Sequence, residues 1–158
     1  MSMKCCSHYE SPLGMILLEA DEVGLTGLRF CNQKNPLPKE NRCTFEETFR
    51  WLELYFSGKD PGFTPELHLS GTDFQLLIWQ ILREIPYGQT VSYGWIARRI
   101  AQARGLKRMS AQAVGGAVGR NPVALIVPCH RVIGSNGDLI GYAGGLDRKS
   151  KLLALEGV

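Results

Sequence analysis

The chain has no aspartate or glutamate between Glu84 and Asp138, a gap of more than fifty residues in a sequence of 158. Over that gap it carries Arg98, Arg99, Arg104, Lys107, Arg108, Arg120 and Arg131. Other absences narrow the field. No apolar run approaches the roughly 20 residues of a membrane-spanning helix, so no membrane partner is expected. Residues 1–9 have no apolar core of signal-peptide type. There is no Cys-x-x-Cys pair, the usual mark of a metal or redox site, and no internal repeat or low-complexity tract. The five cysteines are an odd number, and Cys5-Cys6 are adjacent, which is poor disulfide geometry. The expectation is a reduced set of thiols and a cytoplasmic protein.

What is present is a soluble composition, 44% hydrophobic and 21% charged, enough to bury one core or two small ones. The net charge of +3 is unevenly placed. Residues 1–70 hold 7 Lys/Arg against 10 Asp/Glu, and residues 71–158 hold 11 against 5. A basic half with a long acid-free stretch reads as a polyanion-binding face. A solvated basic surface is the plainer alternative.

In chain order, residues 7–10 and 15–20 read as strands joined by Ser11-Pro12-Leu13-Gly14, and Gly24 opens a third strand at 25–30. A loop with Pro36 and Pro38 follows. Thr44-Phe45-Glu46-Glu47 has capping-box spacing, and Phe45, Phe49, Leu52 and Phe56 then share one helical face up to Gly58. Residues 59–71, with Pro61, Gly62 and Pro65, read as a linker, placing a domain boundary at 70/71. Thr72-Asp73-Phe74-Gln75 is a second capping box, opening a central helix from 73 to about 85 with Trp79 in the core. Ser92 caps a helix over 93–101, residues 102–109 form a basic loop, and Ser110 caps a helix over 111–119. The pair reads as a helix-turn-helix. Asn136-Gly137 signals a hairpin wing or tight loop. A last helix over 147–155 turns Leu152, Leu153 and Leu155 inward, with Glu156 closing it.

Two stretches carry chemistry. The helix over 111–119 contains Ala111, Ala113, Gly115, Gly116, Ala117 and Gly119 and has almost no side-chain bulk. Glycine costs about 1 kcal/mol relative to alanine inside a helix, so something is expected to come close to this backbone. A DNA minor groove or a tightly packed neighbouring helix would each suit. The second stretch is Asn121-Pro122-Val123-Ala124-Leu125-Ile126-Val127-Pro128-Cys129-His130-Arg131-Val132. An uncharged apolar run ends in a proline, which stiffens the chain and its predecessor, and then presents a thiol beside an imidazole. A cysteine held this way beside a histidine is a candidate nucleophile, although a buried apolar cysteine next to a loop histidine reads equally well. Gly141-Tyr142-Ala143-Gly144-Gly145 could line a pocket for a flat ring, with the tyrosine stacking.

Pro128-Cys129-His130-Arg131-Val132 resembles the active-site signature of the O6-alkylguanine-DNA alkyltransferases, the methylated-DNA–protein-cysteine methyltransferases. The resemblance continues through Tyr93, Ala113-Val114-Gly115-Gly116-Ala117, Asn121-Pro122, residues 141–145 and Leu152-Leu153-Ala154-Leu155-Glu156-Gly157. It covers 72–158 closely and 1–70 loosely. It implies an α+β protein: residues 1–70 form a small antiparallel sheet with a helix, ribonuclease-H-like, and 71–158 a mainly helical, winged-helix-like domain that binds DNA and transfers the alkyl group. It further implies base flipping and irreversible, single-turnover transfer of the alkyl group of O6-alkylguanine in double-stranded DNA to Cys129, without cofactor or metal, by a monomer. O4-alkylthymine is left open as a second substrate. By the same resemblance His130 is the base, acting through a water, Glu156 orients it, and Asn121 is a hinge. Tyr93 donates to the base and crowds the 3′ phosphate. Tyr142 walls the pocket, and the backbone of Cys129, Val132 and Ala143 reads the guanine edge. Gln112, Ala113, Gly115, Gly116, Arg120 and Arg131 are expected at the DNA.

This chain departs from the pattern in two places. Many relatives carry an arginine wedge in the recognition helix, and Gln112 stands at that position, with Lys107 and Arg108 nearby. Some relatives bind zinc through two cysteines and two histidines. Here Cys5 and His68 match two positions and Asp21 and Thr26 the others, so no such site is expected. Two other readings compete. A non-catalytic alkylated-DNA sensor typically lacks the nucleophile that Cys129 supplies. A cysteine hydrolase is permitted by Cys/His/Glu alone and disfavoured by the basic stretch.

Overall fold

The computed structural model describes residues 4–31 and 45–158. They divide into two compact units, Met1–Ser70 and Gly71–Val158.

The first unit is a three-stranded antiparallel meander, β1 (Cys5–Ser11), β2 (Gly14–Ala20) and β3 (Leu25–Cys31), with one helix, α1 (Glu46–Phe56). Ser11 holds the β1–β2 turn: its hydroxyl donates to the Gly14 carbonyl and accepts from Leu13 N–H. Along β2, Ile16, Leu18 and Ala20 alternate inward, the period-2 pattern of a half-buried strand. On β3, Leu25 and Leu28 are both buried although they are three residues apart. A register shift opposite Glu19/Ala20 makes this possible, since an extra residue in one strand turns its successors to the other face. Gly24 sits where no side chain fits, because a Cβ there would lie 2.6 Å from the Glu66 carbonyl oxygen.

In α1 the expected aromatic face is rotated. Phe45, Trp51, Leu52 and Tyr55 are buried, while Phe49 and Phe56 lie at the margin with their ring centroids 6.1 and 6.3 Å from that of Tyr9. Thr44 and the proline loop lie outside the described residues. The cysteines also differ from expectation. Cys5 is disulfide-bonded, whereas Cys6, Cys31 and Cys129 are not in a disulfide. Adjacency excludes only a Cys5–Cys6 bond; neighbours on a strand face opposite ways, which leaves Cys5 able to pair elsewhere.

The second unit is mainly helical: α2 (Asp73–Arg83), α3 (Tyr93–Arg104), α4 (Ala111–Gly119) and α5 (Leu146–Leu155). The capping box at Thr72/Gln75 is formed in full, and Ser92 and Ser110 accept from Trp95 N–H and Ala113 N–H. α3 runs one turn further than its pattern suggested and stops at Gly105, a left-handed cap with φ 65°, so the turn of the helix-turn-helix is the shorter. α4 packs by Val114, Ala117 and Val118 and is tied to α2 by the Trp79 indole N–H, which donates to the Ala117 carbonyl at 3.0 Å. No hairpin wing forms at Asn136-Gly137. That stretch is a tight loop closed by Gly134 N–H to the Asp138 carbonyl. The strand before it, β5 (Val132–Ile133), pairs instead, in parallel, with β4 (Val91–Ser92). This pairing sets the N-terminus of α3, with Tyr93, beside the turn that follows Cys129. Among the described residues no helix is long and apolar enough to cross a membrane.

Candidate active site

The run 123–127 is buried, with Val123, Leu125 and Val127 fully so. It is a tight turn rather than a strand: Val127 N–H reaches the Val123 carbonyl, and Leu125 sits at φ 69°. A branched, non-glycine residue in this left-handed region is costly, about 1–3 kcal/mol, and its immersion in the core holds it there. Pro128 follows at φ −82°, ψ 67°, the inverse γ-turn geometry, closed by Cys129 N–H to the Val127 carbonyl at 2.8 Å. A short 3-10 turn, Cys129–Arg131, comes next. Cys129 and His130 therefore stand on a tight turn and not on a strand that would splay neighbouring side chains apart.

Asn121 fastens this turn to the end of α4. Its backbone N–H donates to Val118, its side-chain amide donates to the Val127 carbonyl at 2.7 Å, and its side-chain oxygen accepts from Val123 N–H at 3.0 Å. It also interacts with the Cys129 thiol. Burial pushes that thiol above its ordinary range, against the pull of Asn121 and the positive Lys149. At rest the group is thus a protonated thiol that needs a base.

The base stands beside it. His130 is fully buried, and its Nε2 faces Glu156 Oε2 at 2.5 Å. Burial lowers the imidazole pKa more than the Glu156 carboxylate raises it, with Arg131 and Lys149 adding to the lowering. The resting ring is neutral. Because Glu156 takes Nε2, Nδ1 is the ring nitrogen that can serve a proton acceptor's role. Glu156 itself, on the last turn after α5, is gripped on both oxygens. Gly88 N–H and Arg131 Nε donate to Oε1 at 2.9 and 2.8 Å, and Arg131 Nη2 donates to Oε2 at 3.2 Å.

Arg131 requires a correction. It was expected at the DNA, yet it is 7% exposed and donates inward to Glu156 and, at 2.8 Å, to the Ile85 carbonyl, with its guanidinium over the Tyr87 ring. The neighbouring carboxylate outcompetes solvent for it.

Tyr93 and Tyr142 complete the cluster. The Tyr93 hydroxyl donates to the Ile140 carbonyl at 2.9 Å. The Tyr142 hydroxyl is buried without a hydrogen-bond partner among the described residues, and burial and the Cys129 sulfur raise its pKa well above the ordinary value. An unsatisfied buried hydroxyl is uncommon and is suited to a group that arrives. Val132 is buried, so only its backbone could meet a ligand, and Ala143 is exposed.

Lys149 escaped the sequence reading. It is fully buried; its ammonium donates to the Ile140 and Gly141 carbonyls at 3.0 and 3.1 Å and lies 5.9 Å from the Tyr93 ring centroid. Its spacing of three and four residues from Leu152 and Leu153, on the inward face of α5, was the available signal.

The thin helix forms a second surface. Gln112, Ala113, Gly116, Gly119 and Arg120 are exposed. A Cβ added at Gly116 or Gly119 would meet nothing within 4 Å, and one at Gly115 would touch only the Tyr93 ring, at 3.8 Å. Packing inside the protein therefore does not explain these glycines. The Tyr93 contact places α4 next to the thiol cluster.

Among the described residues no group of three or more His, Cys, Asp and Glu side chains could hold a metal ion. The two matching positions are otherwise engaged: Cys5 in its disulfide, His68 with Asp21 at 2.5 Å.

Comparison with known proteins gives a consistent result. A family model described as "6-O-methylguanine DNA methyltransferase, DNA binding domain" matches residues 73–158, and one described as "6-O-methylguanine DNA methyltransferase, ribonuclease-like domain" matches residues 4–69. The chain is 48% identical to a methylated-DNA–protein-cysteine methyltransferase of Methanosarcina acetivorans over 94% of this chain and 96% of that one. To the corresponding Mycobacterium leprae protein it is 46% identical, over 96% and 91%. A crystal structure of Mycobacterium tuberculosis O6-methylguanine methyltransferase superposes with a TM-score of 0.82 at 42% identity, covering 98% of this chain and 93% of that one. The Mycobacterium tuberculosis OGT in complex with DNA gives 0.80 at 44% identity, covering 94% and 90%. The two family models span nearly the whole chain between them, and it belongs to the 6-O-methylguanine DNA methyltransferase family.

Proposed function

We infer that this protein repairs DNA directly, moving the alkyl group of O6-alkylguanine onto Cys129 in a single irreversible turnover. The observation that carries the reading is a buried free thiol and a neutral imidazole on one tight turn, braced by Asn121 from the end of α4 and by Glu156 from the end of α5, next to a helix whose Gly116 and Gly119 face open space. In this reading residues 71–158 do the binding and the chemistry, and residues 1–70 form an accessory lobe.

Flipping a base out of the stack costs a few kcal/mol and is what lets a buried residue reach it. Gly115 and Gly116 let α4 approach the backbone closely, with Ala113 and Arg120 on the same helix and its C-cap. Gln112, on the exposed first turn, hydrogen-bonds the partner base left behind. The flipped guanine enters beside Tyr142, and its edge is read by the backbone of Cys129, Val132 and Ala143, while the Tyr93 hydroxyl turns its one proton from the Ile140 carbonyl to the ring. The Cys129 proton passes through a water to His130, and Glu156 stabilises the imidazolium so formed. The thiolate sulfur bonds to the alkyl carbon as the carbon–O6 bond breaks, and the guanine takes up a proton to become ordinary guanine. The stable thioether ends the protein's activity. No cofactor enters these steps. Such a nucleophile must stay reduced, which fits the cytoplasm even with the Cys5 disulfide elsewhere in the chain, and one monomer supplies every group named.

The direct test is a duplex carrying one O6-methylguanine. Wild-type protein should restore guanine, whereas Cys129→Ser should leave the lesion in place and still retard the duplex. Restoration by Cys129→Ser would remove the proposed nucleophile, and tight wild-type binding with no restoration would favour a damage sensor.

A further inference from the structure

The grip of Arg131 on Glu156 is more than is needed to bury an arginine. The side chain spends Nε and Nη2 on the two oxygens of one carboxylate and Nη1 on the Ile85 carbonyl, at 2.8, 3.2 and 2.8 Å. Glu156 is fully buried at its side chain, and His130 sits on the oxygen that Nη2 shares. A buried carboxylate without a cation tends to take up a proton. A bidentate guanidinium, charged at all accessible pH, keeps it ionised and in one plane. We propose that Arg131 is a positioning residue for alkyl transfer: it holds Glu156 as an anion aimed at His130 Nε2 and keeps the imidazole neutral until Cys129 gives up its proton.

The inference rests on the reading of His130 as the base. The charged groups facing His130 are Glu156 after α5, Lys149 on α5 and Arg131 on its own turn. Two of the three are cations, and Arg131 is the one that also touches the carboxylate. With Arg131 neutralised, the His130–Glu156 pair has one cation fewer against it. It should then bind an extra proton at a higher pH, which consumes the base before the reaction begins.

The experiment compares wild type, Arg131→Met and Arg131→Lys by two measurements. The first is the pH dependence of single-turnover transfer from an O6-methylguanine duplex. The second is the protonation of the His130 ring, followed by nitrogen NMR on the DNA-free protein. In Arg131→Met the acid limb of the rate profile and the ring titration should both move to higher pH, by about one unit or more, with transfer at pH 6 down on the order of tenfold. Arg131→Lys keeps the charge but not the fork, and should recover most of the pH position with a lower plateau rate. A merely structural arginine would lower the folded fraction and leave both midpoints where they are, and that result overturns the proposal. If Arg131→Met does not fold, Arg131→Lys decides: a wild-type ring titration with a reduced plateau supports the proposal, and wild-type behaviour in both overturns it. If wild type itself does not transfer, the functional reading fails, while the ring titration still shows whether Arg131 sets the charge of the pair.

Discussion

Gly116 separates the two explanations of the thin helix by the sign of its effects. It lies in the interior of α4, and an added Cβ there meets no atom within 4 Å. In the free protein Gly116→Ala should therefore stabilise, since the glycine penalty of about 1 kcal/mol is relieved with no clash to offset it. For a protein of this size that gain corresponds to a rise in melting temperature of about 2–4 °C. Leucine is close to alanine in helix propensity, so Gly116→Leu should also fold and be at least as stable as wild type. DNA binding should move the other way. A minor groove is only about 6 Å wide, and a side chain at this position occupies the space where the sugar–phosphate wall must come. We expect Gly116→Ala to weaken binding to duplex DNA on the order of tenfold, about 1.4 kcal/mol, and Gly116→Leu to weaken it further. Thermal unfolding and a fluorescence anisotropy titration at fixed salt measure the two effects on the same samples. Destabilisation by alanine would mean that the glycine serves internal packing. Stabilisation with unchanged DNA affinity would mean that nothing approaches this face.

Three further outcomes follow from other parts of the structure. Trp79→Phe removes the only indole bond between α2 and α4 among the described residues and should cost about 1 kcal/mol in urea unfolding, with the transfer rate little changed. Gly24→Ala drives a methyl into the Glu66 carbonyl and should destabilise the first unit by about 1–3 kcal/mol, seen as an earlier unfolding transition. His130 has a folded-state pKa below its unfolded value because it is buried, so the unfolded chain binds the proton first. Stability from this group is complete above about pH 6.5 and is lost as pH falls from there through the folded pKa. Unfolding midpoints between pH 7.5 and 5 should show the decline, and His130→Gln should flatten it.

Local signals carried much of the fold. Thr72, Ser92 and Ser110 cap the helices they precede, because a short polar side chain ahead of an apolar periodic run has few other uses. The three strands and their Ser11 and Gly24 turns were equally readable. What escaped depended on partners distant in sequence. Arg131 looks like one more member of a basic stretch until Glu156, 25 residues away, is seen beside it. Lys149 looks solvated until the Ile140 and Gly141 carbonyls close over it. Cys5 was read from its neighbour Cys6, when its bond lies elsewhere. The apolar run before Cys129 gave no hint of a left-handed Leu125, since no propensity favours it there and only the surrounding core holds it. In α1 the apolar spacing pointed to Phe49 and Phe56, whereas Trp51 and Tyr55 are buried; periodicity alone does not say which of several aromatics a helix turns inward.

The central claim is that Cys129 accepts one alkyl group and keeps it. Reacting the protein with increasing amounts of an O6-methylguanine duplex, then weighing the intact chain and its peptides, tests this most directly. The account predicts a gain of a single methyl group, confined to the peptide holding Cys129, with repair levelling off at one lesion per protein molecule. Continued repair beyond one equivalent, or a methyl group on any other residue, would contradict it.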